Sequence, residues 1–181
     1  LGSFDYYGGG DYCFVLGAME HESFADADRV ANYIKRLTGF KTGDDSSVVA
    51  ALAGYEALCE VRHCLAHARG FVGLKGSRAM ALDQRTLSKV LISQEGALEL
   101  LKLSHNGVRA VNRFLFESLV DRWIDRDILR GDWAEDRALF ALAWRAFFVA
   151  GEDAFNGNVR AAYSPVRRVV AKRKEAIAAK A

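Results

Sequence analysis

Asp45-Ser46-Ser47-Val48-Val49-Ala50-Ala51-Leu52 opens a stretch that closes on Arg62-His63-Cys64-Leu65-Ala66-His67-Ala68-Arg69-Gly70. Asp45, Ser46 and Ser47 carry the short side-chain oxygens that satisfy the free N–H groups of a helix's first turn. Behind them Val48, Val49, Leu52, Tyr55, Leu58, Cys59 and Leu65 recur at threes and fours, the period of one helical face. A strand would alternate in twos. The stretch therefore reads as a helix running toward Gly70, with one arginine and two histidines gathered at its C-terminal end.

The same period extends outward in both directions. Residues 1–10 read as a flexible lead-in. From Asp11 to Leu37 the set Tyr12, Val15, Leu16, Met19, Val30, Tyr33, Ile34 and Leu37 predicts a first helix, which Gly39 and Gly43 end. Residues 70–84 hold three glycines and no clear period, and read as a loop with a short extended piece. The longest pattern begins near Ser93 and carries Leu98, Leu101, Val108, Val111, Leu115, Leu119, Trp123 and Ile124. Asn106-Gly107 is its weak point, since glycine costs about 1 kcal/mol against alanine inside a helix. Gly131 is its expected end. Asp132-Trp133-Ala134-Glu135 is an acidic variant of the capping box and opens a fourth helix through Val149. Ser164-Pro165 reads as N-cap and first helical position of a basic C-terminal helix. The prediction is an all-α bundle of about five helices: lead-in 1–10, helical domain 11–159, and a basic helix over 160–181.

Composition agrees with this. A chain of 181 residues is long enough for one well-filled core. No apolar run nears the roughly 20 residues that span a bilayer, and the greasiest, Ala138 to Ala150, is broken by Arg145. No signal peptide is expected. Cys13, Cys59 and Cys64 form no CxxC pair and leave an odd thiol, which points to free cysteines and a reducing cytoplasm. The net charge of +2 hides an uneven distribution. Arg160, Arg167, Arg168, Lys172, Arg173, Lys174 and Lys180 face the single Glu175 in the last segment. Such a helix binds phosphate backbones, or merely solubilises the terminus.

Arg62, His63 and His67 are the residue types that metal-free RNA cleavage requires. Imidazole takes or gives a proton near neutral pH, and guanidinium offers a permanent charge and a planar fork to phosphate oxygens. Geometry qualifies the match. Positions 62 and 67 lie roughly 140° apart around an ideal helix, whereas His63 and His67 share a face. A distorted last turn near Gly70, or a symmetric dimer bringing two copies together, would answer this. Two alternatives stay open: a zinc site on His63 and His67, with Cys59 one turn earlier in the row, and a purely local role in which the histidines hydrogen-bond to their neighbours while Arg62 pairs with Glu56 or Glu60.

The stretch Val61-Arg62-His63-Cys64-Leu65-Ala66-His67-Ala68-Arg69-Gly70 resembles the signature of the HEPN superfamily. Those all-helical domains carry an arginine, four to six residues and then a histidine, with a polar residue often directly after the arginine. The glycine, loop and long helix that follow look most like the RiboL-PSP-HEPN branch, and the resemblance covers residues 11–128. It implies a HEPN-like fold, a homodimer, and an endoribonuclease needing no metal or cofactor, in toxin–antitoxin or antiviral defence systems with an antitoxin or similar partner. Arg62 and His67 match the catalytic pair and His63 the polar neighbour. Arg69 stands where some members carry a modifiable tyrosine, so that mode of silencing is not expected. With RNA as substrate, Arg69, Arg167, Arg168, Lys172 and Arg173 are the expected RNA contacts. Members of the superfamily also include non-catalytic modules that dimerise and bind RNA or protein.

The remaining candidates read as structural. His21 and His105, in polar or helical settings, read as surface or capping histidines. Trp123, Trp133 and Trp144 are expected to fill a core or dimer face rather than stack bases. Asp121, Asp125 and Asp127 interleave with Arg122 and Arg126, as on a solvated ion-pair face. Glu56 lies one and a half turns before Arg62, where a carboxylate could orient it.

Overall fold

The computed structural model describes residues 23–83, 88–148 and 157–179. Among these the chain forms six α-helices, one 3-10 turn and no strand, so the all-α expectation holds. No described helix is long and apolar enough to cross a membrane. The chain divides into two compact units, one ending at Ser104 and one beginning at His105.

In the first unit α1 spans Ala27–Thr38. Its N-cap is Asp26, whose carboxylate accepts from the Arg29 N–H at 2.8 Å. The helix predicted from Asp11 is therefore interrupted before Ala27, and the part before residue 23 lies outside the described residues. Gly39 ends α1 as expected, with φ 75° and its N–H on the Lys35 carbonyl at 2.8 Å. A 3-10 turn over Thr42–Asp44 leads into α2, Ser46–His67. Asp45 caps α2 by accepting from Ser47 at 2.8 Å and Val48 at 3.0 Å. The face α2 buries differs from the apolar set read from its spacing. Val48, Glu60 and Cys64 are buried, whereas Val49 and Leu65 are exposed.

The glycine-rich segment after α2 holds a helix that the sequence reading missed, α3, Leu74–Ala79. Six residues with two glycines nearby show no period, and α3 is held instead by what it packs against. Gly76 sits where a Cβ would lie 3.2 Å from Val72 and 3.5 Å from the Glu60 carboxylate. The expected extended piece is present as a single bridge between Phe71 and Lys89.

Helix α4, Gln94–Asp125, is the longest element and runs unbroken through Asn106-Gly107. It ends before Gly131, because Asp127 adopts φ 55° and Ile128 and Leu129 fold their N–H groups back onto the Trp123 carbonyl. Helix α5, Trp133–Phe147, starts on the predicted cap, Asp132 accepting from Ala134 at 2.7 Å. It stops at Phe147, and Val149 lies outside the described residues. The last helix, α6, spans Val159–Ala178, so Ser164-Pro165 is not its start. Asn158 takes that place, its side chain accepting from Ala161 at 3.0 Å. Pro165 lies inside α6, in its second turn, where the missing N–H forfeits one helical bond.

The core of the second unit is Val120, Ile124, Leu129, Phe140, Ala162, Tyr163, Val166 and Val170. Trp123, Trp133 and Trp144 pack on it, as expected of structural tryptophans. At its centre is a buried carboxylate. Asp136 accepts from the backbone N–H of Arg130 and of Gly131, each at 3.0 Å, and from the Tyr163 hydroxyl. One side chain thus ties the turn after α4 to α5 and α6. Burial, then the hydrogen bond and negative charge of Asp136, push the Tyr163 hydroxyl's pKa well up.

Two outcomes follow for this core. Asp136→Ala strands two N–H groups and a hydroxyl, and should cost about 3 kcal/mol in denaturant unfolding; a loss under 1 kcal/mol would mean that water replaces the carboxylate. Because its folded-state pKa is raised, Tyr163 stabilises the fold fully below about pH 10 and loses that contribution as pH climbs from there. Melting temperature should fall above pH 10 in the parent and fall less in Tyr163→Phe; equal slopes would remove Tyr163 as the cause.

Candidate functional site

The site residues belong to the last turns of α2 and the turn that follows. By their spacing Glu56, Glu60, His63 and His67 share one side of α2, while Leu58, Val61, Arg62, Leu65 and Ala66 share another. The structure bears this division out. The histidine rings stand 5.2 Å apart, centroid to centroid, tilted by 51°. Arg62 lines an open, mostly apolar groove of about 490 Å³ with Leu58, Val61, Leu65, Ala66, Ile92 and Leu100. Arg62, His63, His67 and Arg69 are all exposed. Helix α2 stays regular to His67, so no bulge swings Arg62 and His67 onto one face. Of the three expected catalytic residues, the structure brings His63 and His67 together and leaves Arg62 on the adjacent side.

The carboxylates are engaged elsewhere. The Lys75 ammonium of α3 lies 2.7 Å from Glu60 and 3.1 Å from Glu56, and hydrogen bonds to both raise its pKa. Glu56 also accepts from the Ala27 N–H at 3.0 Å, at the positive end of α1. Neither acid pairs with Arg62, so Glu56 holds α1 and α3 rather than orienting the arginine. Arg62, His63 and His67 make no hydrogen bond or ion pair with another described residue. Cys59 is half-buried, its thiol pKa pushed up first by burial and then by the charges of Glu56 and Asp26. A raised thiol is a poor metal ligand, and no group of three or more metal-binding side chains exists among the described residues.

The turn after α2 is built from left-handed residues. Arg69 has φ 53° and Gly70 φ 86°, and the Gly70 N–H returns to the Cys64 carbonyl at 2.8 Å. The chain then pairs with the segment before α4, Val90 donating to Gly70 at 2.8 Å and Val72 donating to Ser88 at 2.9 Å. This pairing carries Lys89 to the end of α2, its ammonium 5.4 Å from the centre of the Phe71 ring. Lys75 and Lys89 are the residues that sequence reasoning missed here. Neither carries a local signal, because only tertiary pairing brings them to α2.

The other candidates fall as follows. His21 lies outside the described residues, and His105 is exposed on α4. Asp125 pairs with Arg173 and Asp127 with Arg130. Ion pairs are thus present on this face, and they draw in Arg130 and Arg173 from beyond the interleaved run. Burial, followed by the charges of Asp125 and Glu117, raises the Asp121 carboxyl. Arg167, Arg168 and Lys172 are exposed on α6.

Gly70→Ala tests the turn. A Cβ there would sit 3.2 Å from Lys89 Cε on a backbone at φ 86°. Strain at such a φ should cost about 1 kcal/mol, read as a lower denaturant midpoint with an unchanged slope; a parent-like midpoint would show that the turn tolerates a side chain. Compared with protein-family models, curated protein sequences and solved structures, the chain matches none.

Proposed function

We propose that the chain is a HEPN-type endoribonuclease that cleaves RNA without a metal, as a homodimer, within a toxin–antitoxin or defence system. One observation carries the reading: Arg62, His63 and His67 stand exposed at the end of α2 while Lys75 occupies both nearby carboxylates. The guanidinium is thus left to an anion from solution, and two imidazoles stand within one substrate's reach.

The chemistry is balanced by these groups alone. A neutral imidazole takes the proton of an RNA 2′-hydroxyl, and that oxygen forms a bond to the adjacent phosphorus. The bond from phosphorus to the 5′-oxygen breaks, and a protonated imidazole supplies the proton to that leaving oxygen. The products are a 2′,3′-cyclic phosphate and a 5′-hydroxyl. His67 does the acid–base work, His63 shapes or assists it, and Arg62 holds the crowded phosphate oxygens. The separation of Arg62 and His67 around α2 gives the dimer its purpose. A two-fold pairing lets the arginine of one copy serve the histidine of the other.

That same separation favours one second reading, a non-catalytic module of HEPN type that dimerises and binds RNA or protein. Cleavage of a labelled structured RNA in EDTA separates the two. The nuclease should leave 2′,3′-cyclic phosphate ends, and His67→Ala or Arg62→Ala should slow it by about 10² or more with the far-ultraviolet spectrum intact. Cleavage unchanged in His67→Ala, or no cleavage by a dimeric parent, would reject the enzyme.

A further inference from the structure

The seven cations of the C-terminal segment look alike in the sequence, but the structure sorts the six that lie among the described residues. Ala162, Tyr163, Val166 and Val170 bury one side of α6 in the second unit's core. Beside that buried side Arg173 pairs with Asp125, and Lys174 donates to the Arg130 carbonyl at 2.9 Å. These two cations fasten α6 to the unit that carries it. Arg160, Arg167, Arg168 and Lys172 are different. At 100° per residue they fall within an arc of about 140° on the opposite side, along roughly 18 Å of helix. All four are exposed, and none makes a hydrogen bond or ion pair with another described residue. Exposed Ser164 stands among them, and Glu175, about one turn past Lys172, is the negative charge on that side.

We propose that Arg160, Arg167, Arg168 and Lys172 form a docking face for the phosphodiester backbone of single-stranded RNA. Only the choice of RNA as polyanion rests on the nuclease reading; the face itself does not. Charge complementarity selects the occupant. A membrane-binding helix needs a broad apolar side to sink between lipids, and on α6 Ala162, Tyr163, Val166 and Val170 are buried in the core, leaving Val169 as a single exposed large apolar side chain among residues 159–176. A protein interface is built round a well-packed, desolvated centre, and within this arc the residues between the cations are serine, alanine and Glu175, with no large apolar or aromatic side chain to form one. A row of guanidinium groups and an ammonium answers a chain of phosphates, through charge and without reading bases. The face thus holds substrate without setting which sequence is cut.

Two double variants remove equal charge from the same helix and so isolate the face. Arg167→Gln/Arg168→Gln takes two cations from it, and Arg173→Gln/Lys174→Gln takes the two that fasten α6. The probe is a fluorescent 2′-O-methyl RNA oligomer, which binds but offers no 2′-hydroxyl to cleave. Its affinity is measured against salt concentration. The first variant should flatten the slope of log affinity against log salt by about 1.4, at about 0.7 for each lost phosphate contact. The second should leave that slope unchanged, and all four substitutions on the face should flatten it by about 2.8. Equal slopes for the two double variants would overturn the face. So would a loss of binding to anionic phospholipid vesicles, or to an acidic peptide, with RNA affinity untouched. Because the probe resists cleavage, a failed nuclease reading leaves this result standing, and cleavage with an unchanged slope rejects the face alone.

Discussion

The Lys75 ammonium, held between the carboxylates of Glu56 and Glu60, is the interaction on which the first unit turns. Glu60 is buried, and a carboxylate out of water needs a partner at short range. Lys75 supplies it from a six-residue helix that has little reason to form alone. Glu56 passes the connection on to the first N–H of α1. Lys75 and Glu56 together therefore link three helices, and with both acids occupied the guanidinium of Arg62 and two imidazoles are left facing solvent. The arrangement of the candidate site follows from what holds the unit together.

The second unit uses the complementary device, a buried anion served by neutral donors. Asp136 gathers two backbone N–H groups from the turn after α4 and the hydroxyl of Tyr163 from α6. Gly131 makes the turn possible: at φ 86° a Cβ would press within 3.0 Å of Val170. Around this polar knot the aromatic rings of Phe140, Trp133 and Trp144 close the core. With α6 fixed by that core and by Arg173 and Lys174, its other described cations are presented to solvent on the side away from the core.

Elements with long apolar periods or strong caps were legible in the sequence. Asp45, Asp132 and Gly39 mark helix ends where they were read, because each acts on N–H or carbonyl groups within a few residues. Ser164-Pro165 misled, since a proline in the second turn of a helix has the same local look as one at its first position. The helix Leu74–Ala79 escapes a local reading because it depends on a distant partner, Glu60. The end of α4 is local, but Asp127 at φ 55° is a left-handed residue without glycine, and it stops the helix before the Gly131 signal is reached.

The sequence by itself determined that this chain is helical, where three of its six described helices begin, and that Arg62, His63 and His67 lie in the last turns of one of them. The reason is that 3.6-residue periodicity and capping are local physics. Tertiary structure alone decided which charges are committed and which are free. Glu56 and Glu60 go to Lys75, and Arg173 and Lys174 go to their own unit. Lys89 arrives beside the histidine helix only through pairing with Phe71. An ion pair is settled by distance in space, and residues 48 positions apart, like Asp125 and Arg173, carry no sign of it in their neighbours.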